Sequence, residues 1–374
     1  MKIALQLLNT LKRGGAENVA LNYASALSEM GVSSCFIAKS HSAEYEAMIR
    51  NQNHDIENRL TGDLIAGADY IFIHSNINLL RLIKYKIAAK LKGKKVIYLQ
   101  HLFFCERKFF ILSLLINWIC TDFFLITPRT EQLVKKYIRI PVHTFINFYI
   151  QRYEKKDYST IRQTVREELH IADDDLIIMF SAIFKPGKGL ADCLKMASLM
   201  SNEPNVKFLI AGEGEEQYLI DEYRGNNIIA VGCVNDVERY LISSDIYLFS
   251  SFLQEMLPMA LVEAINADLS ILAYDTIINR FLLSNSTFES LDDMIKAVEE
   301  RRVPRGFKHY DKAYALGQFR KIGTMNKIKP YKEQYSIMKK ATEPMVTYTN
   351  NRKSSNVIAD ARDDIRCVIF SEEF

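Results

Sequence analysis

Two glutamates, Glu255 and Glu263, stand eight positions apart in EMLPMALVEAI (residues 255–265), where almost everything around them reads as packed core. Pro258 suits the first position of a helix, because its missing N–H is not needed there. That places Glu255, with Met256 and Leu257, in the loop ahead of the helix. Glu263 then lies on the helix, about 7.5 Å further along at ~1.5 Å per residue. Two carboxylates so placed can address different parts of one extended ligand, and the helix N-terminus between them favours a phosphate. A chance spacing is the competing explanation until the chain's other signals are read in order.

SAIFKPGKGLADCL (residues 181–194) puts Lys188 beside Gly189 at a strand–loop–helix junction, suited to neutralising a diphosphate. An exposed lysine in a turn fits equally well. In LKRGGAEN (residues 11–18), Gly14 and Gly15 leave room for a phosphate or sugar to approach the backbone where a first helix opens. A turn that needs unusual backbone angles fits that pair equally well. IAGEGEE (residues 210–216) places Gly212 and Gly214 after another strand, a weak signal with no full GxGxxG. His101 directly follows the strand KVIYLQ, where its side chain would point into a cleft, although a structural histidine is the simpler reading. His74 ends DYIFIHS and carries the same ambiguity. Asp173, Asp174 and Asp175 precede a strand in a polar stretch, so a solvated loop is expected there, and no metal.

The elements that must position these residues alternate along the chain. Strand-like apolar runs occur at residues 2–8, 33–38, 69–75, 95–100, 123–127 and 142–147, separated by helical patterns such as residues 16–31, which stops at Gly31. Residues 151–175 are polar and read as a linker with one short helix. The alternation then restarts at residues 176–182, 206–212, 227–232, 245–251 and 269–275. Near-continuous apolar strands between helices imply parallel sheet covered on both faces. The expected architecture is α/β, with two doubly wound Rossmann-like domains facing a cleft: residues 1–150 and 176–325. A closing helix at 326–340 and a tail at 341–374 follow. Ligands of open α/β sheets bind beyond the carboxyl ends of the strands.

Of the chain's 374 residues, 48% are hydrophobic and 25% charged, which affords a sizeable core, and a net charge of +3 gives no case for nucleic acid. Six scattered cysteines with no C-x-x-C fit a reducing cytosol. The apolar run at residues 109–126 is broken by Asn117, Thr121 and Asp122, so no transmembrane helix is expected.

Taken together, these stretches resemble a retaining glycosyltransferase of family 4 with the two-Rossmann-domain GT-B fold, over residues 1–340. The opening motif of that family is similar to GGAE-x-V-A-L here, its phosphate-lysine loop to PGKG, its central strand to FLIAGEGEE, and its Glu–seven residues–Glu motif to residues 255–263. The resemblance implies that Lys188 holds the donor diphosphate, Glu255 meets the transferred sugar, Glu263 meets the ribose hydroxyls, Gly15 borders the leaving phosphates and His101 lies near the sugar. It implies a nucleotide-sugar donor, a UDP-sugar, as substrate, with no metal or other cofactor. The acceptor it implies is a surface glycan or lipid-linked glycan of lipopolysaccharide, capsule or exopolysaccharide type.

The sequence departs from the family at Ile183, where an arginine is usual, and at Met256, where a glycine is usual and a larger side chain could crowd the sugar. The glycine-rich loop expected after Asp275 is missing. These departures keep open a catalytically impaired partner of another transferase, and a nucleotide-sugar epimerase is a more distant alternative. From Arg81 to Lys108 nine Lys/Arg face one acid, Glu106. The basic, aromatic stretch from Arg81 to Phe110 suggests docking on the inner face of a membrane, with a solvated helix beside a buried one as the competing reading.

Overall fold

The computed structural model describes residues 2–12, 14–101, 104–223, 225–253 and 255–323, with side chains to residue 321. The expected closing helix and tail lie outside these residues. The described residues divide into two compact units: 2–146 with 319–323, and 147–318.

The first unit carries β1 (Lys2–Leu7), β2 (Thr10–Leu11), β3 (Val32–Ile37), β4 (Ser40–His41), β5 (Asp55–Glu57), β6 (Tyr70–Ile73), β7 (Lys95–Leu99), β8 (Asp122–Leu125) and β9 (Val142–Thr144). Seven of these form one parallel sheet in the order β5-β3-β1-β6-β7-β8-β9, and β2 pairs with β4. Alternate side chains of a strand point to opposite faces. Leu5, Leu7, Ile71, Ile73 and Phe123 enter a core with Leu79, Leu82, Phe109 and Ile116 from the helices Ile77–Ile87 and Glu106–Ile119. Phe72 and Phe124, from the same strands, pack in an aromatic group with Tyr23, Phe145 and Phe319. Burial on both faces is why these strands read as unbroken apolar runs. The polar edge strand β5 has no such run, and nothing in the sequence announced it.

The second unit carries β10 (Leu176–Ser181), β11 (Val206–Ala211), β12 (Ile228–Gly232), β13 (Ile246–Phe249) and β14 (Ser270–Ala273), all parallel, in the order β12-β11-β10-β13-β14. Residues 151–175, expected as a linker, belong to this unit. Their helix Tyr158–Glu168 buries Arg166, which bonds the Asp245 carboxylate at 2.9 Å and the carbonyls of Ala172, Asp175 and Ser243. A buried arginine with that many acceptors is a structural tie, and this one fixes the helix to the amino end of β13.

In both sheets the strand order reverses beside the first strand, between β1 and β6 and between β10 and β13. Loops leaving such neighbours diverge to opposite faces and open a crevice at the carboxyl ends. The segments that follow these four strands hold Gly14 and Gly15, His74, Lys188, and Glu255. Among the described residues no helix is long and apolar enough to cross a membrane.

Candidate functional site

In the second unit, the loop after β10 turns through two left-handed glycines, Gly187 at φ +86° and Gly189 at φ +94°. Gly189 caps the helix Leu190–Leu199, and a Cβ there would strike the Ser250 carbonyl. The bends bring Lys188 Nζ to donate to Glu255 Oε1 at 2.7 Å, and Ser251 Oγ donates to the same oxygen at 3.1 Å. Lys188 and Glu255 are each a little over one-fifth exposed. At that exposure the pair is only partly screened by water and contributes on the order of 1–2 kcal/mol, and an anionic ligand can take the place of Glu255 on Lys188.

The helix expected after Pro258 begins at Met259, one residue late. Proline's ring sets φ at −73°, but ψ is 106°, so Pro258 is the extended residue before the helix and not its first turn. Met256, expected to crowd a sugar, turns inward and is buried, as is Leu257. Ile183 is 62% exposed, so the position where an arginine is usual carries no packing role. From Asp275 the chain passes directly into the helix Ile277–Leu282, capped by Thr276, with no glycine-rich loop between.

Glu263 lies on the helix Met259–Asn266, half-buried. Burial, and then the charge of Glu238, push its carboxyl up to about 7. Glu238 is itself buried and accepts from Tyr149 Oη at 2.9 Å and from the Arg152 backbone N–H at 2.8 Å. An acid whose pKa rises on folding is carried most cheaply while protonated, so its contribution to stability falls as pH climbs from the usual carboxylate range to about 7. Glu263→Gln is therefore expected to stabilise the protein at pH 8 by about 1–2 kcal/mol, after allowance for solvent screening, and to change little at pH 5. Urea unfolding at the two pH values measures this, and equal effects at both would refute it.

Gly212 and Gly214 have φ of +144° and +152° and lie against a neighbouring segment. Their missing side chains make room for the carbonyls of Ala182 and Phe184, and Phe184 N–H donates to the Glu213 carbonyl at 2.8 Å. At each glycine, the side that a Cβ would occupy is taken up by backbone of the neighbouring segment.

In the first unit, the helix Gly15–Ser28 opens after Gly14, whose φ of −171° is ordinary extended backbone. Neither glycine adopts a left-handed angle, which removes the unusual-turn explanation, and open space lies where a Gly15 Cβ would be. His101 follows β7 and meets His74, which follows β6: His74 Nδ1 and His101 Nε2 are 3.1 Å apart. His74 Nε2 lies 2.8 Å from Gln6 Oε1 of β1. Burial pushes the His101 imidazole down to about 4 and, with His101 beside it, holds His74 well below the usual range.

Sequence reasoning passed over Ser251, Glu238 and Gln6. Gln6 did leave a signal, a polar residue inside an otherwise apolar strand, which needs a partner when buried. Glu238 left none, since its burial depends on Tyr149 and Arg152, more than eighty residues earlier in the chain.

Residues 161–285 match the sequence model of a family described as glycosyl transferases group 1. Among solved structures, the chain is similar to Anabaena HepE in complex with UDP and glucose, at 14% identity over 87% of this chain and 100% of that one, TM-score 0.66. It is also similar to a Rickettsia africae glycosyltransferase, at 12% identity over 80% of this chain and 87% of that one, TM-score 0.57. A third, WaaG, a glycosyltransferase involved in lipopolysaccharide biosynthesis, matches at 14% identity over 91% of this chain and 98% of that one, TM-score 0.54. At these identities the likeness establishes the fold, the α/β architecture with parallel sheets of GT-B glycosyltransferases. No curated protein sequence gives a significant match.

Proposed function

We propose that this protein moves a sugar from a nucleotide-diphosphate sugar to a surface-glycan acceptor, with retention at the anomeric carbon. The observation that carries the reading is the Lys188–Glu255 pair at the β10/β13 strand reversal, inside the segment that matches glycosyl transferases group 1. The UDP and UDP-glucose bound in HepE favour a uridine donor. The lipopolysaccharide role of WaaG favours an acceptor of that kind, with capsule and exopolysaccharide chemically close.

The difficult part of the reaction is charge. As the sugar–phosphate bond breaks, negative charge builds on the departing diphosphate while the sugar becomes oxocarbenium-like. Lys188 leaves Glu255 for the phosphate, and the N–H groups of the helix Leu190–Leu199 add their dipole. The released Glu255 carboxylate turns to the sugar. Glu263, once ionised, accepts from the ribose hydroxyls. In the first unit, taken by itself, Gly15 leaves the helix N-terminus open to a phosphate, and His101 is the residue offered to a sugar. Because lysine and helix amides supply the positive charge, the transfer needs no metal, and EDTA should leave the rate unchanged.

A panel of nucleotide sugars, assayed for donor hydrolysis and transfer with wild type, Lys188→Ala and Glu255→Ala, tests the proposal. Turnover that persists in both variants would sink it. The exposed Ile183 in place of an arginine favours one second reading, a donor-impaired partner of another transferase. Wild-type protein that binds no nucleotide would select that reading.

We place the protein on the cytoplasmic side of a membrane surface. The competing reading had a wholly buried helix here, but on Glu106–Ile119 Phe109 and Ile116 face inward while Phe110, Ile111, Leu114 and Trp118 are exposed. Arg107 and Lys108 lie on that helix, and Lys84 and Lys86 on Ile77–Ile87, which shares its core; Lys90 and Lys92 are exposed in the turn that follows. Lys94 and Lys95 contribute less, being bound to the Ala66 carbonyl and to Asp122. Each basic residue near an anionic bilayer adds about 1 kcal/mol. Flotation with anionic vesicles should fall at least tenfold for Leu114→Ser with Trp118→Ser, and further with Lys90→Glu and Lys92→Glu. Unchanged flotation would remove the membrane from the account.

A further inference from the structure

We propose that His74 and Gln6 are positioning residues that hold His101 as its neutral Nε2–H tautomer, so that Nδ1 is offered as a hydrogen-bond acceptor to a substrate hydroxyl. What His101 meets rests on the glycosyl-transfer reading; its tautomer does not.

The two imidazole rings are nearly coplanar, 16° apart with centroids at 5.3 Å, which is the arrangement of an in-plane N–H···N bond. One proton lies between His74 Nδ1 and His101 Nε2, and the other end of His74 decides which ring owns it. Gln6 Oε1 can only accept, so His74 Nε2 carries hydrogen. A neutral ring then has a bare Nδ1, and His101 Nε2 must donate to it. His101 is left with Nδ1 as a lone pair, and no described residue bonds that atom.

Neutrality follows from the surroundings. Gln6 of β1 reaches His74 from one side, and Tyr23 of the helix Gly15–Ser28 lies edge-on to it at 6.0 Å. Among the described residues no carboxylate acts on either ring; the causes that lower both are burial and, for His74, the second imidazole. Two imidazolium rings at this distance would repel. His101 is thus fitted to accept from a hydroxyl, and unfitted to serve as a general acid near neutral pH. With Oε1 toward His74, the buried Gln6 Nε2 has no described partner; an amide turned over would reverse the chain and put the proton on His101 Nδ1, the outcome that the nitrogen spectrum distinguishes.

Nitrogen NMR of the full chain labelled with 15N-histidine tests this without any assay of activity, with His101→Gln identifying the resonances. His101 is expected to show a protonated Nε2 and a bare Nδ1 throughout pH 5.5–8. In His74→Phe, which removes the acceptor, the ring should exchange tautomers or titrate. A proton on Nδ1 of wild-type His101, or titration near the ordinary histidine value of about 6.5, would overturn the proposal. In the transfer assay, the amide oxygen of His101→Asn falls near the Nδ1 position and that of His101→Gln does not. His101→Asn should retain about tenfold more kcat/KM, the worth of one hydrogen bond. Equal rates would count against the acceptor role. Absence of transfer with every donor would refute the function while the NMR result still decided the tautomer.

Discussion

Lys188→Ala is expected to lower the rate of sugar transfer by about 10²–10³-fold, with most of the loss in kcat. The lysine's charge is needed most when the diphosphate departs, so it stabilises the transition state more than the bound donor. Donor affinity should weaken by about tenfold, the share of the charge already present in the ground state. Stability should change less than the rate does, by about 1–2 kcal/mol, because the part-buried Glu255 keeps Ser251 and some exposure to water. Removing Lys188 also leaves Glu255 with Ser251 alone. Glu255→Gln with Lys188 intact separates the two roles: it keeps the hydrogen bond to Ser251 but offers no negative charge to the sugar. Steady-state kinetics with thermal melts on the same samples measure both quantities. A loss confined to KM would show that Lys188 only binds, and an equal loss of melting temperature would show a structural role instead.

Gly212→Ala is expected to destabilise the second unit by about 3 kcal/mol or more, whether or not a donor is present. The position combines a φ of +144° with a neighbour in the way, since a Cβ would collide with the Ala182 carbonyl and the Phe184 ring. Relief would require breaking the contact in which Ala182 N–H donates to the Ala211 carbonyl and Phe184 N–H to the Glu213 carbonyl. That contact shapes the loop carrying Lys188, so activity should fall with stability. Gly15→Ala makes the contrast. Its added Cβ meets nothing, so stability should hold while donor affinity falls as the phosphate is kept from the backbone. Denaturant melts of the two variants distinguish them, and a stable Gly212→Ala protein with impaired donor binding would return Gly212 to the ligand site.

The fold was legible because its strands are buried on both faces. β6 and β8 contribute YIFI and DFFL, which need no partner to be recognised as core strands. The same reasoning missed β5, an edge strand of three residues with little apolar surface to bury. Nor could it decide how much of the apolar run at residues 109–126 is covered, because a run of Phe, Ile, Leu and Trp has one composition whether one face or both are buried.

The candidate residues divide along the same line. By itself, the sequence determined that Lys188 and Glu255 each follow a strand of a parallel α/β sheet, and that Gln6 is a polar residue in an apolar strand. Only the tertiary structure decided that β10 and β13 are neighbours, which brings Lys188 and Glu255 to 2.7 Å across 67 positions of chain. It also decided that burial, and then Glu238, raise the pKa of Glu263, and that His74 stands between Gln6 and His101. At Gly212 and Gly214 the letters GxG stand for close approach, and whether a ligand or another strand approaches depends on the sheet order. Periodicity and strand composition are local quantities that a chain carries along its length. Electrostatic coupling and hydrogen-bond polarity depend on distances in space, and those are fixed only when the strands take their places.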